Sequence, residues 1–225
     1  MMRQLIKDFV SIAATALPIR EPIFEFGSLQ VPGQEGFADL RPFFPGREYV
    51  GADMREGTGV DRVLDLHDID LPEESVGAVL CLDTLEHVEY PRRALEEIHR
   101  ILKPDGIAVI TSVMCFRIHD HPSDYWRFTP EAFRSILKPF SHCFIGYAGR
   151  SDFPHTVVGV GFKGSCPPLE TFTEKYEKWQ STPEVRQTLS TFTWLRRLLT
   201  PPILSRTARE ALGLTRANSP SSNRK

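Results

Sequence analysis

Between Arg117 and Phe128 the chain reads Arg-Ile-His-Asp-His-Pro-Ser-Asp-Tyr-Trp-Arg-Phe. Two imidazoles, two carboxylates, two guanidiniums and a Tyr-Trp pair fall within this one short segment. Such a set can bind and activate an acceptor molecule. His119 or His121 can take a proton, because an imidazole titrates near neutrality. Tyr125 and Trp126 can stack on a sugar or aromatic ring, and Arg117 or Arg127 can pair with an anionic group. The competing reading is a structural loop with Trp126 and Phe128 in the core and Arg127 in an ion pair. Individual residues stand evenly between the two readings, while the segment as a whole favours function. A metal reading of His119-x-His121 has no third ligand fixed by spacing.

A second set consists of the acids Glu25, Asp53, Asp65 and Asp83, with Gly27 close to the first of them. Asp53 can accept two hydrogen bonds from a ribose diol, as an acid does in dinucleotide folds. Asp65 can accept from an adenine amino group, with Leu66 as an apolar wall for the ring. Gly27 allows a ligand close to the backbone, and Glu25 can hold its loop or meet a cationic ligand group. The ligand so described is an adenosine without a polyphosphate. There is no GxxxxGK[ST], and the loop Gly27-Ser28-Leu29-Gln30-Val31-Pro32-Gly33 is not a GxGxxG. One acid at a strand end reads first as a helix cap or surface charge. Three at successive strand ends favour a ligand.

The elements that must position these residues follow from periodicity. Ile23–Ser28 reads as a short buried strand ending in a turn. Gly33, Gly36, Pro32 and Pro45 mark a loose connection, with a short helix over Phe37–Phe44. Strands are expected over Tyr49–Asp53, Val60–Leu66, Ala78–Leu82 and Ile107–Val113. Pro91–Leu102 is an amphipathic helix lined by Ala94, Leu95, Ile98, Ile101 and Leu102, stopped by a turn at Lys103-Pro104-Asp105-Gly106. Thr129-Pro130-Glu131 reads as an N-cap, a first-turn proline and a dipole-compatible acid. Cys143–Gly149 and Thr156–Phe162 are late strands joined by the loop Ser151–His155, and they can pair as a hairpin. Alternating strands and helices indicate an α/β, doubly wound and mostly parallel sheet. Such sheets bind ligands beyond the C-terminal strand ends, where strand order reverses.

Composition bounds the rest. The 225 residues, 41% apolar and 25% charged, fit one domain with appendages. No run approaches the roughly 20 apolar residues that a membrane span requires. The four cysteines are dispersed with no CxxC, which excludes a zinc ribbon or disulfide scaffold and suggests a reducing, cytoplasmic setting. Cys115 and Cys143 read as buried small residues rather than reactive thiols. The net charge is −2, yet residues 186–225 carry eight Lys/Arg against one acid, Glu210. The remaining acidic body does not suggest a nucleic-acid partner. The basic tail reads first as solvated.

At this point the sequence resembles the class I methyltransferases that use S-adenosylmethionine (methyltransferase type 11-like, of the group often found beside glycan-assembly enzymes). The resemblance spans about residues 20–164. It rests on Phe24-Glu25-Phe26-Gly27, Tyr49-Val50-Gly51-Ala52-Asp53, Val63-Leu64-Asp65-Leu66, Asp83-Thr84-Leu85-Glu86-His87-Val88 and Glu97-Ile98-His99-Arg100-Ile101-Leu102-Lys103-Pro104-Asp105-Gly106. The resemblance implies a Rossmann-like, seven-stranded sheet with an antiparallel last strand, and S-adenosylmethionine as cofactor. It places Glu25 and Gly27 beside the methionine moiety, Asp53 on the ribose hydroxyls and Met54 on the adenine. Asp65 and Leu66 then frame the adenine edge, and Leu82 and Asp83 lie near the sulfonium and amino group. The family's usual ExGxGxG is here Glu25-x-Gly27-x-Leu29-x-Val31. Ubiquinone-pathway O-methyltransferases gather a divalent metal at positions similar to Asp83, Glu86 and His87. The favoured reading here is that Glu86 and His87 cap and pack the loop, with no metal.

The expected organisation is therefore an amphipathic lead-in helix over 1–19 (a signal peptide being the minority reading), a methyltransferase-like domain over 20–164, and a helical extension over 165–225. In that extension Phe172–Trp179 and Thr191–Leu204 are helical and 216–225 disordered. The extension can pack on the domain or a second subunit, giving a homodimer, or lie weakly on an anionic membrane surface. The expected reaction is methylation of a small-molecule or glycan-type acceptor at oxygen, nitrogen or carboxylate, with His119, His121 and Tyr125 as the catalytic candidates. The main alternative is a non-catalytic binding protein on a decayed methyltransferase fold. A nicotinamide-dependent oxidoreductase is disfavoured by the absent GxGxxG.

Overall fold

The computed structural model describes residues 3–33, 35–119 and 122–186. His121, the segment 191–204 and the basic tail lie outside the described residues. Within them, seven strands build one sheet: β1 (Ile23–Phe26), β2 (Tyr49–Asp53), β3 (Arg62–Val63), β4 (Val76–Leu82), β5 (Leu102–Val113), β6 (His142–Arg150) and β7 (Phe153–Phe162). Their order is β3-β2-β1-β4-β5-β7-β6. Neighbours from β3 to β5 run parallel, and β7 is antiparallel to both β5 and β6. This is the mostly parallel α/β sheet with an antiparallel last strand that the sequence led us to expect. Strand order reverses between β1 and β4, which opens a crevice at their C-terminal ends.

The faces follow from the two-residue period of strands. On one face Phe24, Phe26, Ala52, Val79, Cys81, Ala108 and Ile110 meet α2 (Pro91–Ile101) and α3 (Pro130–Ile136). On the other, Ile23, Ala78, Leu80, Leu82, Ile107 and Val109 meet α1 (Gln4–Ala16) and α4 (Glu170–Gln180), with a short α5 (Pro183–Arg186) following. Every residue of β4 is buried, as a central strand covered on both sides must be. In α1, Ile6, Phe9, Val10 and Ala13 are buried. Phe9 packs on Phe172 and Trp179 of α4, with ring centroids 6.2 and 5.5 Å apart. The N-terminal helix is thus part of the sheet's cover. Among the described residues no helix is long and apolar enough to cross a membrane.

Several elements differ from the sequence reading for identifiable reasons. The strand expected within Val60–Leu66 is the two residues Arg62–Val63, an edge strand paired with β2 among the described residues. The connection from β1 to β2 holds a single 3-10 turn, Arg41–Phe43, in place of a helix over Phe37–Phe44. Leu40 and Phe44 nevertheless bury themselves against the α1 face. Strand β5 starts earlier than expected. Leu102 pairs with Val76 and Ile107 with Ala78, so Lys103–Gly106 bulges out of the ladder instead of ending the helix in a free turn. The β6–β7 hairpin closes more tightly, with Arg150 paired to Phe153. Cys115 and Cys143 are exposed, since one follows the end of β5 and the other starts the sheet-edge strand β6. The N-cap reading of Thr129 is realised: its side chain accepts from Ala132 N at 3.1 Å.

Candidate functional site

The crevice beyond β1, β2 and β4 is a cavity of about 320 Å³. Gly27, Asp53, Met54, Asp65, Leu66, Asp83 and Tyr125 all line it. These residues come from separate stretches of sequence, brought together because parallel strands end on the same side of a sheet. Gly27 turns the chain away from β1 with φ +86°, a conformation that favours glycine. A Cβ there would lie 2.1 Å from Thr84 Oγ1. That hydroxyl donates to Phe26 O and Leu82 O, tying the ends of β1 and β4 together.

Asp53 is buried at the end of β2, and its carboxylate accepts from Arg55 N at 3.0 Å. Asp65 is more open, and it accepts from His67 N and pairs with His67 Nδ1, both at 2.8 Å. Partial burial pushes its pKa up, but those two His67 contacts outweigh it and hold the carboxyl below its usual range. Leu29 and Val31, at positions where the resemblance expects glycine, also form part of the wall, as do Phe26, Leu64 and Val88. The crevice wall is therefore mixed, with apolar side chains between polar ones and carboxylates at separated points. That is the donor-and-wall pattern suited to a nucleoside.

Two residues named with this group lie elsewhere. Glu25 and Leu82 sit on the α1 side of the sheet by strand alternation. Glu25 is buried and accepts from Tyr49 Oη at 2.6 Å. Burial raises its pKa to about 7, against the opposing effects of Tyr49 and Arg41. Leu82 belongs to the core beneath α1. Asp83 reaches the cavity at φ +47°, yet its carboxylate is already engaged. Arg3 Nη2 and Nε donate to Oδ2 at 2.8 and 3.2 Å, and Thr111 Oγ1 donates to Oδ1 at 2.9 Å. Arg3 lies 80 positions away in sequence, and no local pattern could have signalled it.

The segment from Arg117 onward is stapled to the turn Leu85–His87. Tyr125 N and Trp126 N donate to Glu86 O, and Trp126 Nε1 donates to Val88 O at 3.0 Å. Tyr125 is thereby held at the cavity wall, about half exposed. Phe128 is core, whereas Trp126 is 44% exposed. Arg127 is committed internally. It donates to both oxygens of Asp124 and to the carbonyls of Phe116, Arg117 and Trp126. Those bonds from Arg127, chiefly, hold the Asp124 carboxyl far below the usual range. Of the two arginines considered for an anionic group, Arg117 is the exposed one. His119 stands behind the wall, its ring 4.7 Å from that of His87, which does line the cavity. Residues that sequence reasoning missed include Arg55, His67, Thr84 and Ser123 on the wall. Arg55, His67 and Thr84 lie within two positions of an acid already singled out, and that adjacency was the available signal.

Residues 48–110, from β2 into β5, match the family model described as a methyltransferase domain. That segment carries Asp53, Asp65, Asp83, Glu86 and His87. Over that segment the chain is similar to methyltransferase domains. It is an enzyme of the class that uses S-adenosylmethionine, and that cofactor is an adenosine bearing a sulfonium. Solved structures share the fold. An S-adenosylmethionine-dependent methyltransferase from Archaeoglobus fulgidus is 16% identical, with a TM-score of 0.56 over 72% of this chain and 95% of that one. A protein from Pyrococcus horikoshii is 15% identical, with a TM-score of 0.54 over 72% and 91%. No curated protein matches the sequence.

Proposed function

We propose that this methyltransferase binds S-adenosylmethionine along the crevice from Gly27 to Leu66 and passes its methyl group to an oxygen or nitrogen of a small-molecule or glycan-type acceptor. Asp53 takes the ribose hydroxyls. Met54, Asp65 and Leu66 frame the adenine, and Gly27 and Asp83 lie toward the methionine end. The acceptor enters beside Tyr125, which offers a ring face to a sugar or aromatic group. The observation that carries this reading is the cavity itself: carboxylates spaced along a partly apolar wall at the switch point of the sheet.

Methyl transfer is an in-line displacement. The bond from sulfur to the methyl carbon breaks as the bond to the acceptor forms, and the sulfonium leaves as a neutral thioether. Alignment supplies most of the rate. A hydroxyl acceptor also loses its proton, for which His119 and His121 are the proposed acceptors. Glu25 and Leu82 contribute from behind the wall, by holding the ends of β1 and β4.

The test is transfer of labelled methyl from S-adenosylmethionine to a panel of sugar hydroxyls, phenols and amines. The account expects labelled product with at least one acceptor class, and a fall of about tenfold or more on His119→Ala or Tyr125→Ala. Tight nucleoside binding with no product on any acceptor would support the non-catalytic alternative.

A further inference from the structure

Behind the acceptor side of the cavity lies a group that the proposed methyl transfer does not require. Glu86 is 0% exposed. Its Oε2 accepts from Ser112 Oγ at 2.6 Å, while its Oε1 has no hydrogen-bond partner among the described residues. A carboxylate taken out of water in this way calls for a cation or a proton beside it. What lies beside it is a pair of imidazoles. One ligand atom each from Glu86, His87 and His119 fall within 4.8 Å of one another.

Both rings are oriented as metal-binding imidazoles are, through the nitrogen that does not ligate. His87 Nδ1 bonds to the carbonyl of Ser123. His119 Nδ1 lies 3.2 Å from Asp124 Oδ2 and 3.2 Å from Arg117 O. Asp124 is in turn fixed by Arg127 and by His119 N at 2.9 Å. Donation from Nδ1 puts the lone pair of each ring on Nε2. The Glu86 carboxylate is likewise held by a serine.

We propose that Glu86, His87 and His119 form a binding site for one divalent transition-metal ion of the zinc type, with its remaining position turned toward the cavity. Two imidazoles and one carboxylate are a donor set that suits such an ion. Contraction of the present spacing by about 1.5 Å gives the distances of a tetrahedral site. Asp83 is not among the ligands, since Arg3 and Thr111 already hold its carboxylate. His87 stands on the cavity wall. The fourth position therefore suits an acceptor that binds through a hydroxyl or carboxylate oxygen, and with the ion bound the proton falls to another group than His119. That use of the ion rests on the methyl-transfer reading, whereas the ion site does not.

The experiment is titration of the full chain, freed of metal by a chelator, with Co²⁺ followed by its visible absorption, and with Zn²⁺ by calorimetry. No nucleoside is added. One saturable equivalent with a four- or five-coordinate Co²⁺ spectrum is expected. Glu86→Gln and His119→Ala should each weaken binding tenfold or more, and Asp83→Asn less than threefold. Circular dichroism and thermal midpoints establish that each variant folds, and the half-buried His119 serves if Glu86→Gln does not. Absence of a saturable equivalent, equal affinity in wild type and His119→Ala, or a tenfold loss in Asp83→Asn would overturn the assignment. S-adenosylhomocysteine affinity measured on the same samples separates the two readings. Loss of nucleoside binding with metal binding intact would defeat the cofactor placement and leave the ion site standing.

Discussion

Glu25 is a carboxyl group whose protonated form the fold favours. It is buried under the sheet with Tyr49 as donor, and burial lifts its pKa from 4.5 to about 7. Folding therefore takes up a proton between those two values. The stabilisation tied to that proton is fully present below pH 4.5 and is lost as the pH rises through 7. Glu25→Gln keeps the shape and the acceptor for Tyr49 but removes the charge. It is predicted to raise stability at pH 8 by up to about 3 kcal/mol, since each tenfold change in proton affinity is worth about 1.4 kcal/mol. The gap closes toward pH 4.5. Urea unfolding at the two pH values checks this, and an equal gap at both would contradict it. The same burial explains why Glu25 was legible as important and misplaced in role. Its position beside Gly27 is visible in the sequence. The face on which it lies depends on strand register.

At the scale of elements, the sheet was legible wherever apolar runs were bounded by Gly, Pro or an acid. Tyr49–Asp53 and Pro91–Ile101 lie where periodicity placed them, the strand closing on an acid and the helix opening on a first-turn proline. The β3 edge and the bulge at Lys103–Gly106 were not, because pairing partners decide them. The lead-in helix shows the same limit. Its apolar stripe was visible, but not that the stripe docks on α4, which follows the last strand. Phe9 is fully buried at that contact. Phe9→Ala is predicted to cost about 3–5 kcal/mol. If the thermal midpoint were unchanged, α1 would not be part of the folded unit. A large loss would also free Arg3 from Asp83, since that arginine lies immediately before the helix.

For the whole molecule, the decisive fact is convergence. Acids separated by 12 and 18 positions in sequence meet at one crevice because β2, β3 and β4, which they follow or end, run parallel in one sheet with β1 between β2 and β4. That much could be read in advance, since strand-end acids in an α/β pattern have one place to go. The cluster of Glu86, His87 and His119 could be read only in part. Two of its members are neighbours in sequence, but the third arrives on a loop more than 30 residues later, held there by contacts to the Leu85–His87 turn. Leu29 and Val31 put side chains on the crevice wall at positions where the resemblance expects glycine. Calorimetric titration with S-adenosylhomocysteine, on the wild-type chain and on Asp53→Ala, therefore tests the central claim most directly. The account predicts saturable one-to-one binding to the wild type and a loss of about tenfold or more in the variant, the cost of a charged hydrogen bond to the ribose. Equal affinity in the two proteins, or no binding to either, would contradict it.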